Sequence, residues 1–240
     1  MKQIPRARFD YLMLPWVTVL PGSLLGLSFA KASEWSGVAT LTSEYIYRGL
    51  AMSDGDPAFQ LGVDYAHDSG LFAGVWGSTI ELTTAMGQRD VELDYYAGYQ
   101  HESDVPVSTT LTVIRYTFPG QTGAHSYDYN ELLIGATWRE QHSIELGYTN
   151  DLYGLDRIAR HWEIRSEWPV ANAWVLGAAL GANDLSDAGV SRYLYWDVGA
   201  SARFSRFTFD VRWYDNEEPD GFAMRQSANS QIVLSISAAF

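Results

Sequence analysis

Cysteine is absent from the 240 residues, which excludes disulfide bonds, thiol chemistry and Fe–S clusters. Lysine is absent after Lys31, although residues 33–240 hold all but one of the chain's 29 acidic residues. The formal net charge of the whole chain is -13. Because binding to phosphate backbones depends on basic patches, this balance argues against nucleic acid as a partner. We expect no cofactor.

Long apolar runs are missing beyond the first thirty residues, and no later segment approaches the roughly 20 apolar residues of a membrane-spanning helix. A helical period of 3.6 residues is not found either. Residues 1–32 differ, since three basic residues precede a mostly apolar stretch that ends in a small-x-small motif. This pattern predicts a secretory signal peptide over residues 1–32, cleaved after Ala32. An uncleaved N-terminal anchor is the alternative.

Alternation with a period of two runs through the rest of the chain. It is clearest at 206–214, where Phe207 and Phe209 alternate with Arg206 and Thr208. Such alternation predicts strands with one apolar and one polar face. We predict twelve of them, at 38–47, 57–67, 71–80, 90–100, 107–118, 127–138, 142–149, 158–168, 173–181, 191–204, 206–214 and 230–240.

The connections between these predicted strands alternate between long polar loops and short turns, which is typical of bacterial outer-membrane barrels. The final strand is amphipathic and ends on the aromatic Phe240. An unpaired apolar edge strand promotes aggregation, and a barrel removes the edge by pairing the last strand with the first. The sequence therefore predicts an all-β protein, an antiparallel up-and-down transmembrane β-barrel of about 12 strands over residues 33–240.

Four motifs and the Phe-terminated final strand resemble the TorF-type porin family. The motifs are S-E-Y-I-Y-R-G-L at 43–50 within the similar segment 43–65, G-V-W-G-S at 74–78, E-L-D-Y-Y-A-G-Y at 92–99 and Y-D-Y-N-E at 127–131. The similarity is densest over residues 36–135. This resemblance implies an outer-membrane porin fold, but it identifies neither a substrate nor binding residues.

The polar face of the predicted barrel carries the candidate functional residues. If the apolar face meets lipid, charged side chains line the lumen, because an arginine facing lipid at the midplane costs about 2–4 kcal/mol. The predicted pore-lining residues are Glu44, Arg48, Asp64, Glu92, Asp94, Glu131, Glu145, Glu163, Arg165, Asp197, Arg203, Asp210 and Arg212, with Glu167 and Arg206 on the same face. They either select permeants or form ion pairs that fill a narrow barrel.

Aromatic residues concentrate near the ends of the predicted strands, which indicates girdles at two membrane interfaces. Those expected near the long loops are Tyr45, Tyr47, Tyr116, Tyr148, Tyr193 and Trp213. Those expected near the short turns are Trp138, Trp168, Trp174, Phe204, Phe207 and Phe240. A sugar-stacking ladder of Tyr96, Tyr129 and Tyr195 inside the lumen is the alternative use of aromatic residues.

Metal and hydrolase chemistry have weak signals. The segment 184–189 resembles a calcium loop only faintly, because Tyr195 stands where the final glutamate is expected. There is no G-x-S-x-G element, and of the five histidines only His161 lies in the interior of a predicted strand, because His67, His101 and His142 lie at short turns and His125 lies in a loop. We therefore expect neither a metal site nor an enzyme.

The expected function is a porin-like channel for passive diffusion of small solutes or ions, leaning towards cations. Its expected partners are outer-membrane lipid and the solutes in its lumen, and its expected location is the outer membrane of a Gram-negative bacterium. The alternatives are a non-conducting structural or lipid-modifying outer-membrane barrel, and a soluble periplasmic β-barrel.

Overall fold

The computed structural model describes residues 34–84, 87–120, 126–220 and 230–240, and the predicted signal peptide lies outside them. Twelve long strands close into one antiparallel barrel, which confirms the predicted fold class. A two-stranded sheet, β2 with β3, lies apart from the barrel sheet. No helix in the described ranges has the length and apolar character needed to cross a membrane.

The described residues form fourteen strands, and all of them except β2 and β3 follow one another around the barrel in chain order. They are β1 (Glu34–Thr42), β2 (Ile46–Tyr47), β3 (Leu50–Ala51), β4 (Ala58–Ala66), β5 (Leu71–Thr84), β6 (Gly87–Glu102), β7 (Val107–Thr117), β8 (Tyr129–Trp138), β9 (His142–Thr149), β10 (Ala159–Ala171), β11 (Trp174–Asp184), β12 (Tyr193–Phe204), β13 (Phe207–Asn216) and β14 (Gln231–Ala239). We call one end of the barrel the short-turn end, after the connections 67–70, 103–106, 139–141, 172–173 and 205–206. The other is the long-loop end.

Side chains alternate between the outer and the inner face of every long strand. In β8, Leu132 and Ile134 are exposed while Glu131 and Leu133 are buried. This follows from the period of two along a strand. The outer face is consequently mostly apolar, and most charged side chains of the strands point into the barrel, with Arg115 and Arg160 as exceptions on the outer face.

The barrel closes where β1 meets β14. Residues Val38 to Thr42 pair with Ala239 to Ser235, and β1 also pairs along its whole length with β4. At the short-turn end, Gly37 N donates to Phe240 O at 2.9 Å, and Phe240 N donates to Gly37 O at 3.0 Å. The predicted pairing of the last strand with the first is therefore confirmed.

The predicted first strand, 38–47, is wrong at its end. β1 stops at Thr42, and the chain then turns inward to form the hairpin of β2 and β3. A tight turn at Arg48 and Gly49, with φ values of +48° and +78°, allows Tyr47 to pair with Leu50. We call residues 43–56 the inward loop, because residues 44–53 are buried within the barrel.

The predicted loop 81–89 is also wrong. The backbones of β5 and β6 continue beyond the predicted strand ends to Thr84 and Gly87, with pairs such as Thr83 with Gln88. The register shifts between Thr79 and Leu82, which marks a bulge. The long connection expected here is replaced by an extension of the hairpin.

Candidate functional site: the barrel interior

All thirteen predicted pore-lining residues lie on the inner side of the barrel wall or on the inward loop. Ten are buried: Glu44, Arg48, Asp64, Glu92, Asp94, Glu131, Glu145, Glu163, Asp197 and Arg212. Arg165, Arg203 and Asp210 are partly exposed. Most of these charges are therefore removed from bulk water, where charges are stable only if they are paired or hydrogen-bonded.

The inward loop brings one arginine to the wall. Arg48 donates to Glu131 of β8 through both terminal nitrogens, Nη1 to Oε1 at 3.0 Å and Nη2 to Oε2 at 2.8 Å. Tyr116 donates its hydroxyl to the same Oε2 at 2.9 Å. On the other side of Glu131, His161 lies between two carboxylates, 3.3 Å from Glu131 Oε1 and 3.2 Å from Glu145 Oε1. This group is a bidentate ion pair extended by an imidazole.

A second ionic network lies on β10, β12 and β13. Arg165 contacts Glu163 Oε1 through Nε at 3.1 Å and Asp197 Oδ2 through Nη2 at 3.1 Å. Arg212 bonds the other oxygen of Asp197 through Nη1 and contacts Asp210 Oδ2 at 3.2 Å. Two arginines and three carboxylates thus alternate along the inner wall, and the network links three strands.

Two neighbouring acidic residues on β6 have buried oxygens that lack hydrogen-bond partners in the described part of the chain. Glu92 Oε2 and Asp94 Oδ1 are buried without a hydrogen-bond partner among the described residues. Tyr45 of the inward loop makes a side-chain hydrogen bond with Glu92. This part of the wall therefore carries two buried acidic side chains that have no basic partner among the described residues.

Aromatic and aliphatic side chains fill the barrel at the long-loop end. Tyr129 stacks on Tyr116 with ring centroids 4.7 Å apart, and Tyr45 meets Trp76 edge to face at 5.5 Å. The buried cluster also contains Tyr47, Leu50, Met52, Ile80, Phe118, Leu152, Leu185, Tyr193 and Tyr195. With the inward loop in this position, these side chains pack together in the interior near this end.

The inward loop is held by hydrogen bonds to the wall as well as by packing. Tyr193 donates its hydroxyl to Arg48 O at 3.0 Å, and Asn216 donates its amide to Gly49 O. Glu81 N donates to Met52 O at 2.8 Å. These bonds satisfy carbonyl groups at the hairpin, which a buried loop requires.

Glu44 fixes the base of the inward loop. Its Oε1 accepts hydrogen bonds from Gly55 N at 3.0 Å and from Ser53 Oγ at 3.2 Å. Burial raises the pKa of Glu44, the two hydrogen bonds oppose that rise, and the nearby charges of Asp54 and Asp56 add to it. The carboxyl group at the base of the loop therefore favours its protonated form more than an exposed glutamate does.

The short-turn half of the interior has a different lining. Small hydroxyl side chains on inward positions are partly exposed there: Ser36, Ser108, Thr110, Ser143, Thr208, Ser235 and Ser237. Because their neighbours along each strand face outward, this exposure is to the inside of the barrel. The interior is thus an open polar vestibule at one end and a filled section at the other.

Comparison with known proteins now gives the chain a family. Residues 30–240 match the family described as bacterial proteins of unknown function, Gcw_chp. The chain belongs to the Gcw_chp family. No curated protein matches it.

Solved outer-membrane channels share the fold of this Gcw_chp protein. The KdgM porin has a TM-score of 0.54 and 9% identity, covering 85% of this chain and 99% of its own. The NanC porin has a TM-score of 0.54 and 10% identity, covering 86% and 99%. An outer membrane channel from Pseudomonas putida has a TM-score of 0.54 and 11% identity, covering 89% and 97%. At these identities the likeness shows the barrel architecture alone.

The aromatic predictions for the Gcw_chp barrel are confirmed in part. Every aromatic residue predicted near the short turns is exposed on the outer face, as are Tyr148 and Trp213 near the long loops. The placement of Tyr45, Tyr47, Tyr116 and Tyr193 in the outer girdle is wrong, because all four are buried inside. The inward loop carries the first two inward, and strand alternation places the others beside them.

The three tyrosines of the alternative sugar ladder are inside, but their contacts differ. Tyr96 donates to Asp64, Tyr129 stacks on Tyr116, and Tyr195 donates to Glu163 Oε2 at 3.2 Å. Because each ring serves a separate group, the observed contacts do not form a continuous stacking surface.

In the faint calcium motif at 184–189, one carboxylate holds its own turn and the other accepts a hydrogen bond from a neighbouring connection. Asp184 Oδ1 accepts from Ser186 N at 3.1 Å and from Ser186 Oγ at 2.6 Å, and Asp187 Oδ2 accepts from Ile158 N at 2.9 Å. In the described ranges, no group of three or more His, Asp or Glu residues is arranged to hold a metal ion.

One serine–histidine pair faces outward at the short-turn end. Ser166 Oγ lies 3.0 Å from His142 Nδ1, and the ring of His142 packs between Trp138 and Trp168. A hydrolase needs a carboxylate or amide to orient the histidine, and the contacts of the described residues show none on this ring. This pair could not be predicted from a sequence motif, because the two residues are 24 positions apart in the chain.

Proposed function

We propose that this protein is an outer-membrane channel for passive diffusion of small solutes. The observation that carries the proposal is the separation of its two faces. Large apolar side chains such as Leu111, Ile134 and Val198 are about half exposed on the outside, whereas ten of the thirteen predicted pore-lining charged residues are buried inside. This is the arrangement that a barrel needs when lipid surrounds it and water fills its lumen. A soluble barrel needs the opposite arrangement.

The interior charge favours cations. Of the thirteen predicted pore-lining residues, nine are acids and four are arginines. The KdgM porin has been solved with oligogalacturonate, a polyanion, and shares only 8% identity with this chain in that complex. An acid-rich lining repels such a ligand, so we propose cationic or neutral permeants here.

The conformation described above is the closed one. The inward loop fills the interior near the long-loop end, beside the acidic residues of the barrel wall. The vestibule remains open at the short-turn end. Passage of a solute therefore requires the hairpin of β2 and β3 to move away from Glu131. We propose that the inward loop is the gate of the channel.

A non-conducting structural barrel is the second candidate, and the filled interior is the observation that favours it. In that case the ion pairs of Arg165, Asp197 and Arg212 serve rigidity alone. The two functions differ in whether removal of the inward loop opens a path for ions.

Single-channel recording separates the two functions. We expect the purified wild-type protein to open in rare discrete steps in a planar bilayer. A variant in which residues 46–51 are replaced by two glycines should stay open. Reversal potentials in a salt gradient should show cation preference, and charge reversal at Glu92 or Asp197 should reduce it. A folded, inserted variant without the hairpin that never conducts would rule out the channel.

The remaining features of the proposal concern export and location. The resemblance of 43–65 to TorF-type porins and the membership of a bacterial family support a Gram-negative outer membrane. We propose residues 1–32 as the signal peptide and residues 33–240 as the barrel domain. We propose no catalytic activity, in keeping with the proposed channel function.

A further inference from the structure

The tip of the inward hairpin presents an arginine where turn chemistry does not require one. Arg48 and Gly49 both have positive φ values, +48° and +78°, as in the tight turns that favour asparagine, aspartate or glycine. A non-glycine residue in this conformation is uncommon. The contacts of the Arg48 side chain, rather than the turn, therefore account for an arginine at this position.

The wall provides a site shaped for a guanidinium group. Both oxygens of Glu131 accept from Arg48, and the hydroxyl of Tyr116 orients one of them. On the wall, Tyr129 stacks behind Tyr116, whereas the ring whose centroid lies 4.6 Å from Cζ of Arg48 is Tyr47 of the hairpin itself. A planar carboxylate beside aromatic rings is the chemistry that recognises a flat organic cation. We call Glu131, Tyr116 and Tyr129 the guanidinium seat.

The seat needs a cation for its stability. Glu131 and Glu145 are almost completely buried, and His161 lies between them. Without Arg48, two buried carboxylates face a single imidazole, and an uncompensated buried charge is strongly destabilising. All three residues of the seat belong to wall strands, whereas the cation arrives on a separate hairpin. Arg48 is thus placed as a tethered ligand.

We propose that the guanidinium seat is a binding site for guanidinium-bearing solutes, and that Arg48 occupies it when the channel is closed. A solute of this class would bind once the hairpin withdraws. The bidentate contact of Glu131 fits a guanidinium better than a metal ion, since no group of three or more His, Asp or Glu residues in the described part of the chain is arranged to hold a metal. This inference rests on the proposed channel only for the route by which the solute reaches the seat.

Chemical rescue of Arg48→Ala tests the site. The full-length variant is purified in detergent, and its thermal unfolding is measured with millimolar guanidinium chloride or with sodium chloride at equal ionic strength. We expect guanidinium to raise its unfolding temperature by about 3–6 °C at ten times the dissociation constant. The wild-type protein should not respond, because Arg48 already fills the seat.

A matched control is Arg139→Ala. Arg139 lies over the ring of Trp138 at 4.6 Å on the exposed short-turn end, so its loss leaves no buried seat. Guanidinium should not stabilise this variant. Adding Glu131→Gln to Arg48→Ala should abolish the rescue, because the bidentate acceptor is then lost.

Three results would overturn the site. They are rescue of equal size by methylammonium or sodium, rescue that survives Glu131→Gln, and no response of Arg48→Ala to guanidinium. If Arg48→Ala does not fold, its folded yield is measured with guanidinium present during refolding, and an unchanged yield counts against the site. The thermal readout needs no conductance, so rescue in a barrel that never conducts would refute the channel while leaving the binding site intact.

Discussion

A single methyl group added at Gly147 should disrupt the ionic centre of the barrel. A Cβ at this strand position would lie 3.0 Å or less from the Cε1, Nδ1 and Nε2 atoms of His161. The imidazole cannot move aside, because it is buried between Glu131 and Glu145. Displacing it leaves a buried carboxylate without its imidazole partner, and a buried polar group left unsatisfied costs about 1–3 kcal/mol. For a domain of this size, Gly147→Ala should lower the unfolding temperature by about 2–12 °C.

The assay is the temperature at which the folded form converts to the unfolded form on a heat-modifiability gel, supported by urea unfolding in lipid vesicles. Gly62→Ala is the matched control, since Gly62 is also an inward strand glycine. A Cβ there would lie 3.3 Å from Trp76 Cδ1, which requires only a small shift. If Gly147→Ala is as stable as Gly62→Ala, the packing argument for His161 is refuted.

Three further predictions concern the seam, the loop and the second network. Gly37→Val should lower the folded yield in vesicles, because even its Cβ would lie 2.5 Å from the Phe240 ring; an unchanged yield would show that the ring moves freely. The pKa of Glu44 is raised in the fold, so the inward loop should lose stability as pH rises through that pKa. Channel opening should then increase with pH, and Glu44→Gln should remove that dependence; a response unchanged in the variant assigns it elsewhere. Asp197→Asn leaves Arg165 and Arg212 without a shared carboxylate, so it should destabilise the barrel by about 3–5 kcal/mol. Urea unfolding measures this loss, and a change below about 1 kcal/mol would contradict the pairing.

The barrel could be predicted because its physics is local. In β13, Trp213 faces outward and Arg212 inward, as the alternation requires. The same rule would have corrected one error, since Tyr193 shares its face with Tyr195 and Asp197, both predicted to lie inside. Its position near a long loop suggested a girdle instead. The alternation of side chains along the strand was a stronger signal than nearness to a loop.

The inward loop could not be predicted in the same way. The segment 43–47 continues the alternation of β1, so the sequence predicts one longer strand over 38–47. What turns it inward is a set of contacts with residues far along the chain, such as Glu131, Tyr193 and Asn216. The candidate charges were found by composition and parity, but their division into two networks depends on strand tilt and register, which short-range patterns do not encode.

The pairing of β1 with β14 has a consequence for how the protein assembles. Thr40 and Ser237, which share a hydrogen bond, are 197 residues apart in the chain. Closing a segment of that length costs roughly 3 kcal/mol more entropy than closing a four-residue turn. Every other strand pairing of the barrel wall joins two barrel strands that are consecutive in the chain. The hairpins can therefore form early, and the seam is the slow, late step, during which both edges are exposed to other chains.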